Sequence, residues 1–276
     1  MVTIMASRDF TDDLRLAHVL ADNADAITTK RFRSRDLQVR TKPDMTEVSD
    51  ADTAVEEVIR QSLRRARPRD AVHGEEGDDT GWGPRRWVID PIDATRNFIR
   101  GVPVWATLIA LMVDNRVCAG VVSAPALGRR WWAAEGAGAF TGKSLLSPTR
   151  IHTSGIDRLE DASLSYSSID GWITSGRGQS FVNLMRECWR TRAYGDFWSY
   201  MLVAEGAVDL AAEPELALHD MAALDIIVRE AGGRFTNLDG EPGPFGPGAI
   251  CTNGPLHDRV VRALVHDGDD EPDETE

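Results

Sequence analysis

The run WVIDPIDATRNF at residues 87–98 constrains this chain more than any other segment. Trp87, Val88 and Ile89 are an apolar stretch of the kind that fills a buried strand, and the stretch stops at Asp90-Pro91. Proline offers no N–H to a sheet ladder, so the backbone must change course there. Asp93 follows within one turn of chain. Two carboxylates so placed, with the Ile92 carbonyl between them, can converge on one cavity and supply the hard oxygen ligands that Mg²⁺ prefers. A short helix beginning at Thr95 or Asn97 would aim its free N–H groups at the same place and favour an anion. Taken alone, the tetrapeptide is better explained as a turn, with Thr95 as a cap. Further acids change the balance. Glu75 and Glu76 follow an apolar run at 71–74, and Asp220 stands at the start of an expected helix. Asp52 lies in the first turns of another helix, where an exposed acid is the simpler explanation.

The rest of the chain reads as mixed helix and strand. Apolar spacing predicts helices over 9–32 and from Ser49 or Asp50 to Pro68, with a polar loop at 41–47 between them. Strands are expected at 71–74, 87–89, 106–113, 117–123 and 130–134, with Asp114-Asn115-Arg116 as a hairpin turn. Trp131 and Trp132 alternate, so one should pack in the core and the other cover a face. Beyond residue 153, strands at 162–166, 192–194 and 208–212 alternate with helices at 181–189, 197–205 and 221–231. Gly232-Gly233 stops the last of these, and a final helix spans 255–266. The expectation is an α+β chain in two lobes, 1–150 and 151–266, followed by a disordered acidic tail at 267–276.

Charge limits the partners. The 276 residues carry 31 Lys and Arg against 44 Asp and Glu, a net charge of −13, which argues against binding nucleic acid or an anionic membrane. Seven of those acids crowd into the last eleven residues. Cys118, Cys188 and Cys251 are scattered and odd in number, so neither a disulfide framework nor a metal knuckle is expected. With no secretory layout at the N-terminus, the expected location is cytoplasmic.

Four motifs in order resemble the inositol monophosphatase superfamily. These are Val48-Ser49-Asp50-Ala51-Asp52, Gly74-Glu75-Glu76, the run at 87–98, and His219-Asp220-Met221-Ala222-Ala223 followed by Glu230-Ala231-Gly232-Gly233. The resemblance implies a layered αβαβα sandwich and a Mg²⁺-dependent, lithium-sensitive phosphomonoesterase, commonly a homodimer. Carried over by position, Glu75, Asp90, the Ile92 carbonyl, Asp93 and Asp220 would hold two or three Mg²⁺ ions, with Glu75 also counted in the catalytic set. Asp52 and Thr95 would orient and activate water. The amides of Ala94 and Thr95, beside Asp93, would cradle the phosphate. Such chemistry needs charge neutralisation and an aligned nucleophile, both of which clustered carboxylates and metals provide.

Two positions depart from the family pattern. Ala94 replaces the usual Gly after Asp93, and its methyl group restricts a positive φ. His219 replaces the usual Trp before Asp220, so the packing there must differ. Within the superfamily, the stretches SAPALGRRWWAA at 123–134 and RAYGDFWSY at 192–200 look most like the histidinol-phosphate phosphatase branch. That small-molecule ester carries an amine and an imidazole, so its pocket should add acids or aromatic faces. Glu213 and Asp196 are the first candidates, with Arg192 and His219 as further substrate contacts. The competing readings are an inositol-1-phosphate or other sugar phosphate phosphatase and a phosphate-ligand binding protein without turnover.

Overall fold

The computed structural model describes residues 9–43 and 45–265. The tail at 267–276 and His266 of the expected final helix lie outside the described residues. In chain order, helix α1 (Thr11–Arg31) leads through the ribbon β1 (Val39–Thr41) and β2 (Glu47–Ser49) to helix α2 (Asp50–Ala66). Strands β3 (Ala71–Gly74) and β4 (Arg85–Asp93), the short helix α3 (Thr95–Arg100), and strands β5 (Ala106–Val113), β6 (Arg116–Ala124), β7 (Arg129–Ala134), β8 (Gly138–Thr141) and β9 (Thr149–Ile151) follow. Then come β10 (Ser163–Ser165), α4 (Ile169–Thr174), α5 (Gly178–Glu187), β11 (Arg190–Arg192), α6 (Asp196–Ala204) and β12 (Leu210–Glu213). Helix α7 (Leu218–Glu230), strands β13 (Arg234–Thr236) and β14 (Ala249–Thr252), and helix α8 (His257–Val265) complete the order.

Strands β3 to β9 form one seven-stranded sheet in sequence order, antiparallel except for the β3–β4 pair. The second sheet has the order β11-β10-β12-β14-β13. Apolar alternation decides the layering. Along β4, Trp87 and Ile89 face Leu20 of α1 and Val55 and Ile59 of α2, while Val88 faces the opposite cluster with Ala223 and Ile227 of α7. That cluster continues into Ala211, Phe235 and Cys251 of the five-stranded sheet, so α6 and α7 lie between the two sheets. On the far side Leu210 and Ala212 meet Phe181, Leu184 and Val260 of α5 and α8. The result is the expected α+β sandwich in five layers, αβαβα. Gly120 of β6 permits the central contact: a Cβ there would lie 2.6 Å from Ile226, so α7 approaches the sheet as closely as backbone allows.

Several expectations need adjustment. The polar loop at 41–47 is flanked by a hydrogen-bonded ribbon, with Arg40 opposite Val48 and Thr41 opposite Glu47. Trp131 and Trp132 are both buried, because helices cover both faces of their sheet; Trp131 joins the central core and Trp132 the α1–α2 side. The hairpin at Asp114-Asn115 is present, with φ of 51° and 60° as a tight primed turn requires. Helix α7 begins at Leu218, one turn earlier than predicted, placing Asp220 inside its first turn.

Candidate active site

The carboxylates of β4 converge because the strand bulges. Asp90 and Asp93 are three residues apart, and in a regular strand an odd separation puts side chains on opposite faces. Here Asp90 pairs with Leu108 and Asp93 with Ala106, so β4 spends one residue more than β5 between the two pairs. The extra residue resets the alternation. Pro91 supplies no amide for the ladder, and the Thr107 hydroxyl fixes the bulge by donating to the Pro91 carbonyl at 2.8 Å.

Helix α7 brings the third acid. Asp220 accepts a 2.7 Å hydrogen bond from the Ala217 amide, which caps the helix, and carboxylate oxygens of Asp90, Asp93 and Asp220 lie within 4.8 Å of one another. Asp90 is 1 % exposed and Asp93 9 %. Burial holds both well above the usual carboxylate range; the neighbouring charge of Glu75 adds to this at Asp90, and that of Asp196 at Asp93. Asp220 is raised for the same first reason. Asp93 is tied to the second half of the chain by the Phe197 amide, which donates to its Oδ2 at 3.0 Å.

Asp52 sits at the start of α2, fully buried. Its Oδ2 accepts from the Ser49 amide at 2.8 Å and the Ser49 hydroxyl at 2.6 Å. Oδ1 faces the Thr95 hydroxyl at 3.3 Å, and that hydroxyl also donates to the Ile92 carbonyl at 2.9 Å. Burial raises Asp52 to about 6, against the lowering effect of the Ser49 bonds. Ala94 adopts φ 66° and ψ 47°, the left-handed conformation that the residue type disfavours, and it starts α3. The backbone turn expected of a glycine is kept by an alanine.

A cleft of about 550 Å³ opens over these groups, lined by Glu47, Glu75, Ala94, Thr95, Tyr194 and Asp196 among others. Asp196, raised to about 6 by burial and by Asp220, accepts from the Asn97 amide group at 3.2 Å. Glu213 ends β12; it is buried, its Oε1 has no hydrogen-bond partner among the described residues, and burial raises it to about 8. His219 turns its ring toward His73, with centroids 6.1 Å apart, and its Nε2 is 3.7 Å from Asp220. Arg192 is exposed on β11 and donates to the carbonyl of its neighbour Thr191. Of the expected site residues, Glu75, Ala94, Thr95 and Asp196 line this cleft; Asp90, Asp93 and Asp220 cluster with one another, Asp52 and the Ile92 carbonyl are joined to Thr95, and Arg192, Glu213 and His219 are not among the lining residues.

Sequence reasoning missed two residues next to this group. Lys42, in the turn of the β1–β2 ribbon, lies 2.8 Å from Glu75 and 2.7 Å from Glu76. Glu56 of α2 is buried beneath the loop that carries Glu75. The only available signals were a lysine in a polar loop and an i,i+4 Glu-Arg pair on a helix, neither of which distinguishes a site from a solvated face.

The donor set fits a divalent cation. Two buried carboxylates and a half-buried one face one point, Asp90 Oδ1 lacks any hydrogen-bond partner, and no arginine pairs with these acids among the described residues. Uncompensated buried charge of this kind is costly without a cation.

Residues 11–267 match the inositol monophosphatase family. The chain is 64% identical to a histidinol-phosphatase of Streptomyces coelicolor over 93% of its length and 98% of that protein's. It is 57% identical to one of Mycobacterium tuberculosis, over 92% and 98%. Among solved structures, the Thermotoga maritima IMPase superposes with a TM-score of 0.82 at 30% identity, covering 92% of this chain and 97% of that one. The family is generally Mg²⁺-dependent, in keeping with the carboxylate cluster. A match that spans every layer of the sandwich and all four motifs makes this chain a member of the inositol monophosphatase family.

Proposed function

We propose that the chain is a Mg²⁺-dependent phosphomonoesterase that hydrolyses L-histidinol phosphate to L-histidinol and phosphate. The reaction class rests above all on the convergence of Asp90, Asp93 and Asp220 within 4.8 Å beside the Asp52–Thr95 pair. The substrate rests on the likeness to the two histidinol-phosphatases. Glu75, Asp90, the Ile92 carbonyl, Asp93 and Asp220 would hold the metal, two or three ions in all. Bound Mg²⁺ supplies charge neutralisation for the phosphoryl group and makes water more acidic.

The remaining work belongs to the chain. Ser49 occupies Asp52 Oδ2, so Oδ1 is left to receive a proton from a water that Thr95 orients. The amides of Ala94 and Thr95 precede the first hydrogen bond of α3, from the Phe98 amide to the Ala94 carbonyl, and face the phosphate. Asp196 and Glu213 receive the amine and imidazole, with His219 and Arg192 toward the outer part of the substrate. The same reading includes a homodimer in the cytoplasm. No helix among the described residues is long and apolar enough to cross a membrane.

The test is phosphate release by purified protein with Mg²⁺ from histidinol phosphate, inositol-1-phosphate and adenosine 3′,5′-bisphosphate. A preference of at least about tenfold in kcat/KM for histidinol phosphate, abolished by EDTA, is expected, since a site built for polar substrate groups rejects esters lacking them. Equal rates on inositol-1-phosphate would overturn the substrate assignment, and EDTA-resistant turnover would overturn the reaction class.

A further inference from the structure

Glu75 stands at the tip of a loop that the rest of the molecule holds from two sides. Beneath it, Glu56 accepts the Glu76 amide at 2.8 Å through Oε2 and the Gly77 amide at 2.9 Å through Oε1. Arg60, one turn further along α2, donates to Glu56 Oε1 at 2.7 Å and to the Gly77 carbonyl at 3.0 Å. Both side chains are buried. The fit leaves no slack at Gly74, where a Cβ would come within 2.4 Å of Glu56 Oε1. Asp52, Glu56 and Arg60 recur at four-residue intervals, so they form one stripe of α2. The helix that positions Asp52 thereby fixes the Glu75 loop as well.

The second hold is on the side chain. Lys42 places Nζ 2.8 Å from Glu75 Oε1 and 2.7 Å from Glu76 Oε1, and its own amide donates to the Thr46 carbonyl across the β1–β2 turn. Thr46 and Glu75 both line the cleft. The lysine engages one oxygen of Glu75, and it separates two adjacent acids that would otherwise repel. A carboxylate with one oxygen tethered and its backbone immobilised presents its other oxygen in a narrow range of directions, which is how partners outside the ligand set strengthen metal binding.

We propose that Lys42 and Glu56 form a clamp whose function is to position the Glu75 carboxylate for a cation. They are positioning residues, and the proposal rests on the reading of Glu75 as a metal ligand. The clamp sets the affinity of the cation that Glu75 holds. It leaves the cation held by Asp90, Asp93 and Asp220 unaffected.

The experiment compares wild type, Glu75→Gln, Lys42→Met and Glu56→Gln by calorimetric titration with Mn²⁺, by the Mg²⁺ dependence of phosphate release, and by thermal unfolding. Glu75→Gln should remove one Mn²⁺ binding event. Lys42→Met and Glu56→Gln should weaken that same event by about tenfold or more, and raise the half-activating Mg²⁺ concentration in proportion, with kcat at saturating Mg²⁺ close to wild type. Removing Lys42 leaves Glu75 and Glu76 without their cation, so both variants are expected to unfold somewhat below wild type, and the Mn²⁺ titrations are run at a temperature where each is fully folded. Unchanged Mn²⁺ binding in Lys42→Met, alongside a loss in Glu75→Gln, overturns the clamp and leaves the metal assignment standing. Tighter binding in Lys42→Met also overturns it, because the lysine would then be a competitor of the cation. If Glu75→Gln binds Mn²⁺ like wild type, the clamp falls together with the assignment of Glu75.

Discussion

Two groups of carboxylates in this molecule are balanced in different ways. Between α1 and β7, Arg130 donates to Asp25 at 2.7 Å and to the Ser123 hydroxyl at 2.9 Å, and pairs with Asp22 at 2.8 Å; His18 stands 3.3 Å away. The protein supplies its own cation there, and the group has a structural role. At the end of β4, Asp90, Asp93 and Asp220 converge with no arginine among the described residues to offset them; Lys42 pairs with Glu75 and Glu76, and His219 stands 3.7 Å from Asp220. The difference teaches where to look for a ligand. Buried charge that the fold neutralises contributes to the native state, whereas buried charge that the fold leaves uncompensated weakens the metal-free protein and reserves a place for a cation.

The largest expected effect separates the two groups by activity. Asp90→Asn should lower turnover by at least about 100-fold, more than the loss of an outer partner costs. It should also leave the metal-free protein as stable as wild type or more so, because one of several repelling charges is gone. Near-normal turnover, read by phosphate release, would end the comparison.

Arg130→Met should do the reverse. Leaving the half-buried Asp25 without its cation is expected to cost about 1–3 kcal/mol in denaturant unfolding, with turnover per folded molecule retained. A loss below about 1 kcal/mol would place this pair with ordinary surface bridges.

Acid should act in opposite directions on the buried carboxylates and on the buried imidazoles. Asp52, at about 6 in the folded chain, takes up its proton before the unfolded chain does, so the metal-free protein gains stability from this group as pH falls from above 6 toward 4. His18 and His257 are both lowered to about 4, first by burial and then by Arg130 and Arg234 respectively. The unfolded chain protonates these imidazoles first, so their contribution is lost as pH falls from about 6.5 toward 4. Thermal unfolding at pH 7.5 and 5.0 with EDTA should therefore show a steeper acid-side loss in Asp52→Asn than in wild type. Mg²⁺ should stabilise wild type by about 2.7 kcal/mol at a hundred times its dissociation constant. That increment should shrink at pH 5.0, where protons compete for the carboxylates; an increment independent of pH would contradict the picture.

The smallest effect concerns Ala94. Replacing it with Gly relieves a left-handed alanine and should add no more than about 1 kcal/mol in chemical unfolding, with turnover kept or raised. A marked fall in either would mean that the methyl group has a packing role.

Much of the site was legible in the sequence because its acids are attached to strong local signals. Trp87 to Ile89 announce a buried strand, Pro91 marks its break, and Asp220 opens an apolar helix. The bulge that turns Asp90 and Asp93 to one side was not legible, since it depends on pairing with β5. Nor was the role of Glu56, because a Glu-Arg pair at i,i+4 looks the same facing water or facing Gly74. Strands β1 and β2 are three residues each and polar, too short for alternation to register. Arg130 precedes two tryptophans and reads as a strand edge, while its partner Asp25 lies more than one hundred residues earlier.

The hydrogen bond from the Phe197 amide to Asp93 spans 104 residues of sequence. Asp52, Glu75, Asp93, Asp196 and Asp220 reach one another only after most of the chain has been synthesised and its central helix layer has docked between the sheets. Contacts of such long range form late, since the loops they close cost entropy before any contact repays it. The repelling acids therefore stay apart through the early stages of folding and meet when the scaffold is already in place. Turnover is, in consequence, a stringent report of complete folding: a chain arrested before α7 docks lacks Asp220 beside Asp90 and Asp93 and has no assembled centre at all.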